Sequence, residues 1–186
     1  MNRLGKSRQP GEGFFRRRIN RVPSPILAIG LPWLSVAFGS IVATIIIIAS
    51  APIVPPLGFL TYVAWRQLRP GLLPVWAGLP LGLFDDLYSG QPFGSAVLFW
   101  SLAAIALELV EARLPWRNFL TEWMVAAGLI AAYIGLSLLL ANLAGASTPI
   151  MVAMPQILLS ILIYPLVGRT VAFFDRVRLV PIVEVR

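Results

Sequence analysis

The sequence predicts an all-α integral membrane protein, a compact bundle of six transmembrane helices, and three observations support that fold class. Of the 186 residues, 58% are hydrophobic and only 12% are charged. In soluble domains roughly 45–50% of the residues are apolar and about 25% are charged. Long apolar runs alternate with prolines and charged residues. At about 20 residues for each crossing, six crossings take roughly 120 residues, which leaves short loops and tails but no second domain.

Neither histidine nor cysteine occurs in the chain. Their absence excludes thiol nucleophiles, disulfides and His-ligated zinc, and it removes the commonest general base. We therefore expect no catalytic, cofactor-binding or metal site, and a protein that is not an enzyme.

Residues 1–25 are predicted to be a basic cytoplasmic tail, followed by a transmembrane domain over 26–174 and a short cytoplasmic C-terminal tail over 175–186. The first 21 positions hold seven basic residues and one acid, Glu12, which is typical of a disordered segment. Such charge could bind nucleic acid. Its position beside a long apolar run favours a topogenic signal at the anionic cytoplasmic leaflet, so we expect the lipid bilayer, and not nucleic acid, as its partner.

Six apolar runs account for the predicted helices, at 26–50, 57–65, 72–84, 93–110, 120–141 and 150–174. Pro52, Pro55 and Pro56 end the first run, because proline lacks an amide donor and clashes with the preceding turn. The second and third runs are short, since 13 helical residues reach only about 20 Å against a hydrocarbon core of about 30 Å. Two topologies therefore compete, six crossings or four crossings with two re-entrant or interfacial segments.

The distribution of basic residues favours six crossings. With six crossings and a cytoplasmic N-terminus, all 15 Lys and Arg residues lie on the cytoplasmic side. With four crossings, Arg66 and Arg69 lie outside, against the positive-inside bias. The prediction is thus a multi-pass protein with both termini in the cytoplasm.

The most informative motif lies at the end of the third run. Two glycines four residues apart allow close helix approach, and two adjacent aspartates and a Gly/Pro turn follow them. Adjacent helical residues point about 100° apart, so one aspartate is expected to face the bundle or cap the next helix and the other to face water. The motif residues are Gly78, Gly82, Asp85, Asp86, Gly90, Pro92 and Gly94.

An acid followed at four, six and eight residues by Gly, Pro and Gly (Asp86, Gly90, Pro92, Gly94) resembles the rod shape-determining protein MreD family. The resemblance extends over most of the chain, through the charged tail, the Pro-rich turn and a short span that ends in Trp65-Arg66 before Arg69-Pro70. The chain departs from the family pattern in its second acid, Asp85. Spacing favours Asp86 for the family role, and Asp85 remains the alternative.

The resemblance implies a non-enzymatic component of the bacterial inner membrane that acts in cell elongation. Members of this family are thought to bind the single-span periplasmic protein MreC and to link the MreB cytoskeleton, directly or indirectly, to the peptidoglycan synthases of lateral wall growth. Their helix arrangement is similar to that of the substrate-binding subunits of vitamin transporters. Fold analogy alone implies no substrate.

Two further features have competing interpretations. Glu108 lies on one face with Glu111 ahead of Arg113 and Arg117, which favours a surface ion-pair network over a functional site; Glu108 is kept as a secondary candidate because it lies more than one turn inside. A stripe of small residues in the fifth run is expected to serve internal packing more than dimerisation. The stripe comprises Ala127, Gly128, Ala131, Ala132 and Gly135.

Three functional classes follow from these residues. The favoured class is a docking platform for partner helices and cytoskeleton. The alternative is a small-molecule-binding subunit of a transporter, which needs convergent polar groups. The polar groups on offer are Ser101, Tyr133, Ser137, Ser160 and the two aspartates. An intramembrane enzyme built on Asp85, Asp86 or Glu108 is the least favoured, because no metal-ligand spacing or Ser/Lys pair accompanies them.

Overall fold

The computed structural model describes residues 21–23, 25–46, 54–113, 118–179 and 181–184. In this part of the chain each predicted apolar run contains one helix, which confirms the helical class and the six helices. The helices are α1 (Pro25–Ile46), α2 (Leu57–Leu68), α3 (Gly78–Asp86), α4 (Ser95–Arg113), α5 (Phe119–Leu143) and α6 (Met154–Arg178). Short 3-10 turns at Val75–Ala77 and Ile150–Val152 precede α3 and α6.

Four of the helices, α1, α4, α5 and α6, are long and apolar enough to cross a membrane. The other two are short, with 12 residues in α2 and nine in α3. At 1.5 Å for each residue they extend about 18 Å and about 14 Å. Neither spans a hydrocarbon core of about 30 Å by itself, as the lengths of their apolar runs predict.

Helix α2 lies at the centre of the fold. Nine of its 12 residues are buried, and it contacts α1, α4, α5 and α6. Its buried residues are apolar except for Arg66 and Gln67 in the last turn, and such a largely apolar helix is typical of a buried position. The neighbouring helices therefore cover most of the surface of this short helix.

An aromatic cluster forms the middle of the core. The ring of Phe59 stacks on Tyr133 with centroids 4.3 Å apart, and Tyr62 stacks on Trp100 at 5.2 Å. Phe59 and Trp100 also meet, at 5.8 Å. Aromatic pairs at these separations add about 0.5–1.5 kcal/mol each beyond area burial, so the cluster ties α2 to α4 and α5.

The two ends of the described chain lie together. Strand β1 (Arg21–Pro23) pairs antiparallel with β2 (Pro181–Glu184). The predicted disordered segment is therefore ordered in the backbone at Arg21, and the C-terminal tail contains a strand. The rest of the basic tail, residues 1–20, lies outside the described residues, as do Pro52 and Arg117.

The small-residue stripe on α5 does not serve internal packing. A Cβ atom added to Gly128 or Gly135 would meet nothing within 4 Å, and Ala132 between them is exposed. The expected internal role is therefore wrong for these three residues. Periodicity places them on one face, but only the arrangement of the other helices decides whether that face is covered.

Candidate functional site

The α3–α4 hairpin is built on two glycines. A Cβ on Gly82 would lie 2.8 Å from the carbonyl oxygen of Ala96 and from the Cα of Val97. A Cβ on Gly78 would lie 2.9 Å from the carbonyl oxygen of Trp100. The neighbours are backbone atoms, which cannot rotate away. Only glycine allows α3 and α4 to approach this closely, which is the role that the spacing of Gly78 and Gly82 predicts.

Asp86 caps the N-terminus of α4. Its Oδ1 accepts from the amide of Ala96 at 2.9 Å, and its Oδ2 accepts from the amides of Gly94 at 3.0 Å and Val97 at 3.3 Å. The Ser95 hydroxyl lies 3.5 Å from Oδ1. These are the amides that a helix leaves without partners in its first turn, and the helix dipole favours a negative charge there.

The turn between α3 and α4 explains the spacing of the motif. Gly90 and Gly94 have φ angles of +65° and +91°, which L side chains disfavour and glycine adopts freely. The amide of Ser95 donates to the Pro92 carbonyl at 3.0 Å. Gly at positions four and eight after Asp86 therefore lets the chain reverse and direct its amides back at the carboxylate.

Asp85 is also buried, against the expectation that one of the two aspartates faces water. The Tyr133 hydroxyl of α5 donates to Asp85 Oδ2 at 3.3 Å, and Gln91 Nε2 donates to the Tyr133 oxygen at 3.4 Å. Local geometry did separate the two side chains, with Asp86 capping α4 and Asp85 directed at α5. Tertiary packing of α5 over Asp85 is the physical reason why that half of the expectation is wrong. We call this end of the bundle, defined by Asp85 and Asp86, the acidic end.

The opposite end is organised by Arg66, and we call it the basic end. The Arg66 side chain is only 3% exposed. One guanidinium nitrogen donates to the Leu73 carbonyl at 2.5 Å, and another donates to the Ala104 carbonyl at 3.1 Å and to Glu108 Oε2 at 3.0 Å. Arg66 thus joins α2, the following loop and α4 through a buried cation that makes three hydrogen bonds.

Glu108 takes part in this arrangement as the exposed partner. Its side chain is 59% exposed, and it pairs with Arg66 of α2. Glu108 therefore pairs with a residue outside the predicted network along α4, 42 residues away in the chain. An ion pair with so exposed an acid contributes little to stability by itself. Glu108 therefore serves to hold the Arg66 side chain in place.

A second ion cluster joins α2 to α6. Asp175 accepts from Arg69 at 2.9 Å and from Arg178 at 2.8 Å. Arg178 also donates to the Ala28 carbonyl at 3.0 Å, and its guanidinium lies 5.8 Å from the Trp65 ring centroid. The hydrogen bond to Asp175 and its negative charge raise the pKa of the Arg69 guanidinium above its usual value.

The cluster lies where the C-terminal tail was predicted to begin, and helix α6 continues through it. The C-terminal tail was expected to begin at residue 175, but α6 continues to Arg178, and Asp175 and Arg178 are buried. Sequence reasoning did not select them as site residues. The available signal was the pair of opposite charges three residues apart at the end of an apolar helix.

Gln67 is a further residue that the sequence analysis missed. Its Nε2 donates to the Glu122 carbonyl at 3.1 Å, and its Oε1 accepts from the Tyr164 hydroxyl at 2.7 Å. It therefore links α2 to both α5 and α6. Its place directly after Trp65-Arg66, in the last turn of an otherwise apolar helix, was the signal that could have found it.

An open groove runs between α4 and α5, with a volume of about 200 Å³. Leu102 and Ala106 of α4 and Ala132 and Leu136 of α5 are among its walls, and buried Phe59 lies at its base. A shallower depression of about 570 Å³ shares Ala132 and Leu136 and continues toward the acidic end. We call the first of these the α4–α5 groove.

Of the polar residues proposed for a transporter site, Tyr133 and the two aspartates meet at the acidic end, and Ser101 and Ser160 do not join them. Ser101 and Ser160 donate to carbonyls of their own helices, those of Val97 and Gln156, and Tyr133 is engaged by Asp85. Within the described ranges, no three metal-ligating side chains lie together. The chain matches no protein-family model, no curated protein and no solved structure.

Proposed function

We propose that the chain is a six-pass protein of the bacterial inner membrane that acts as a docking platform in cell elongation, as its resemblance to the MreD family implies. It binds an MreC-like single-span periplasmic scaffold through the α4–α5 groove. Through its cytoplasmic tails it connects, directly or indirectly, with an MreB-like cytoskeleton and the peptidoglycan synthases. A small-molecule-binding transporter subunit remains the alternative. Tyr133 and the two aspartates meet at one end of the bundle, whereas Ser101 and Ser160 bond within their own helices.

Three observations agree with an even number of crossings, and the distribution of basic residues favours six of them with both termini in the cytoplasm. Four helices are long and apolar enough to span. The short α2 is covered by neighbours on nearly all sides, so it can cross within the bundle instead of through lipid. The pairing of β1 with β2 keeps both chain ends together, as an even number of crossings requires.

A labelling experiment separates six crossings from four, and the natural absence of cysteine makes it clean. We expect single-cysteine variants Leu87→Cys and Ser147→Cys to react with an impermeant maleimide added to intact spheroplasts. Pro70→Cys, in an exposed loop, is expected to react only after the membrane is opened. Labelling of Pro70→Cys in intact spheroplasts would instead establish the four-crossing arrangement.

The observation that carries the docking function is the contrast between two sets of small residues. Gly78 and Gly82 pack closely against α4, whereas a Cβ added to Gly128 or Gly135 would meet nothing within 4 Å. In a bilayer, helices gain little hydrophobic free energy from each other, so association depends on close van der Waals contact over small residues. An uncovered strip of Gly and Ala beside an apolar groove provides such contact for one added helix.

The cellular role is tested by depletion with imaging of cell shape. Depleting the protein in its rod-shaped host is expected to produce round cells within a few generations, and re-expression of the wild-type chain is expected to restore rods. Leu162→Trp, a substitution on an exposed position of α6, serves as a control that should also restore rods. Unchanged rods after depletion would contradict the elongation role.

A further inference from the structure

A pocket of about 360 Å³ lies at the basic end, between α5, α6 and the last turn of α2. Its walls are largely apolar and include Phe119, Trp123 and Pro165. Four polar side chains also line it: Gln67, Glu122, Tyr164 and Arg169. The docking function assigns no role to this pocket, which lies away from the α4–α5 groove.

Of the four polar side chains, two bond to each other and the other two are charged. Gln67 and Tyr164 are bonded to each other at 2.7 Å. Glu122 and Arg169 line the same pocket, and across the described ranges neither side chain forms a hydrogen bond or ion pair. An acid and a base that share a pocket without neutralising each other present two opposite charges to whatever enters.

The depth of the pocket matches a lipid headgroup. Glu122 lies in the first turn of α5 and Gln67 in the last turn of α2, both at the basic end. Helix α6 has 25 residues, about 37 Å of helix, which exceeds a hydrocarbon core of about 30 Å. If this excess lies at the C-terminal end of α6, Arg169, nine residues before that end, is about 6 Å inside the core, a depth from which a long arginine side chain snorkels to the interface.

We infer that this pocket binds the headgroup of a zwitterionic phospholipid of the cytoplasmic leaflet. The phosphate pairs with Arg169, the ammonium group pairs with Glu122, and an acyl chain lies along the apolar wall between α5 and α6. A headgroup with net negative charge fits less well, because Glu122 repels it without receiving a cation. The inference rests on the proposed function only for the position of the chain in a membrane. A failure to bind lipid would therefore say nothing against partner docking.

The test is lipid retention by the purified full-length chain in detergent, measured by native mass spectrometry. Phosphatidylethanolamine and phosphatidylglycerol with identical acyl chains are added separately. We expect the first to bind about tenfold more tightly, the ratio that one charge-assisted contact of about 1.4 kcal/mol provides. Equally tight binding of phosphatidylcholine would also support the inference, since it carries the same two charges.

Variants then assign the two charges. Glu122→Gln is expected to remove the preference for phosphatidylethanolamine over phosphatidylglycerol, and Arg169→Gln to weaken both by about tenfold. Arg176→Gln, an exposed position of α6 outside the pocket, is the matched control and should change neither. Three results with the wild-type chain alone would overturn the inference. They are a preference for phosphatidylglycerol, equal binding of the two lipids, and retention of neither lipid.

Discussion

Replacing Gly82 by alanine is expected to lower the free energy of unfolding by about 2 kcal/mol. The added Cβ would lie 2.8 Å from backbone atoms of Ala96 and Val97, so α3 and α4 must separate. Overpacking costs about 1–3 kcal/mol, and we take the upper end because these backbone atoms cannot rotate away. Alanine favours a helix over glycine by about 0.5–1 kcal/mol, which offsets only part of the loss. The measurement is equilibrium unfolding in detergent, followed by circular dichroism.

The chain provides matched controls for this prediction. Gly128→Ala and Gly135→Ala make the same chemical change in α5, where the new Cβ meets nothing within 4 Å. They should gain up to about 1 kcal/mol from helix propensity alone. If Gly82→Ala unfolded like these two variants, the close α3–α4 contact would not exist.

Replacing Asp86 by asparagine is expected to destabilise the protein by about 3 kcal/mol. Asp86 accepts from three backbone amides and lies near the Ser95 hydroxyl. Asparagine keeps one acceptor oxygen and turns an NH₂ group toward donors, which leaves buried amides unsatisfied at about 1–3 kcal/mol each. The loss also removes a carboxylate from the positive end of the α4 dipole. Unfolding in detergent measures the effect, and rod shape in complemented cells measures its consequence.

Asp85→Asn is the comparison for this experiment. Asp85 accepts a bond from Tyr133 at 3.3 Å, and an amide oxygen at the same place can still accept it. We expect a destabilisation below about 1 kcal/mol, in keeping with one neutral hydrogen bond. An Asp86→Asn variant that kept complex formation and rod shape, beside an Asp85→Asn variant that lost both, would transfer the motif role to Asp85.

The predictions from sequence that the structure confirms are local ones. The helix over each apolar run follows from composition and proline positions, and the Asp86 cap agrees with the expectation that one of the two aspartates faces the bundle or caps the next helix. Such features depend on neighbouring residues, whose geometry the chain fixes over short distances. For the same reason Gly78 and Gly82 were correctly identified as a site of close approach between helices.

The features that the sequence analysis missed depend on contacts distant in the chain. Arg69 and Asp175 are 106 residues apart, and Gln67 and Tyr164 are 97 apart. Pairs of this kind are decided by which helices become neighbours, and one sequence does not determine that. The same limit explains the burial of Asp85 by α5 and the uncovered face at Gly128 and Gly135.

The central claim, that the α4–α5 groove receives a partner helix, is tested most directly by copurification. The single-span scaffold is captured with wild-type chain, with Ala132→Trp, which fills the groove, and with Leu162→Trp on the exposed face of α6. We predict that the Ala132→Trp chain loses at least about 90% of the captured scaffold, which corresponds to a tenfold change in affinity. The other two chains should retain it. Equal capture by all three folded chains would contradict the claim and place the partner on another surface.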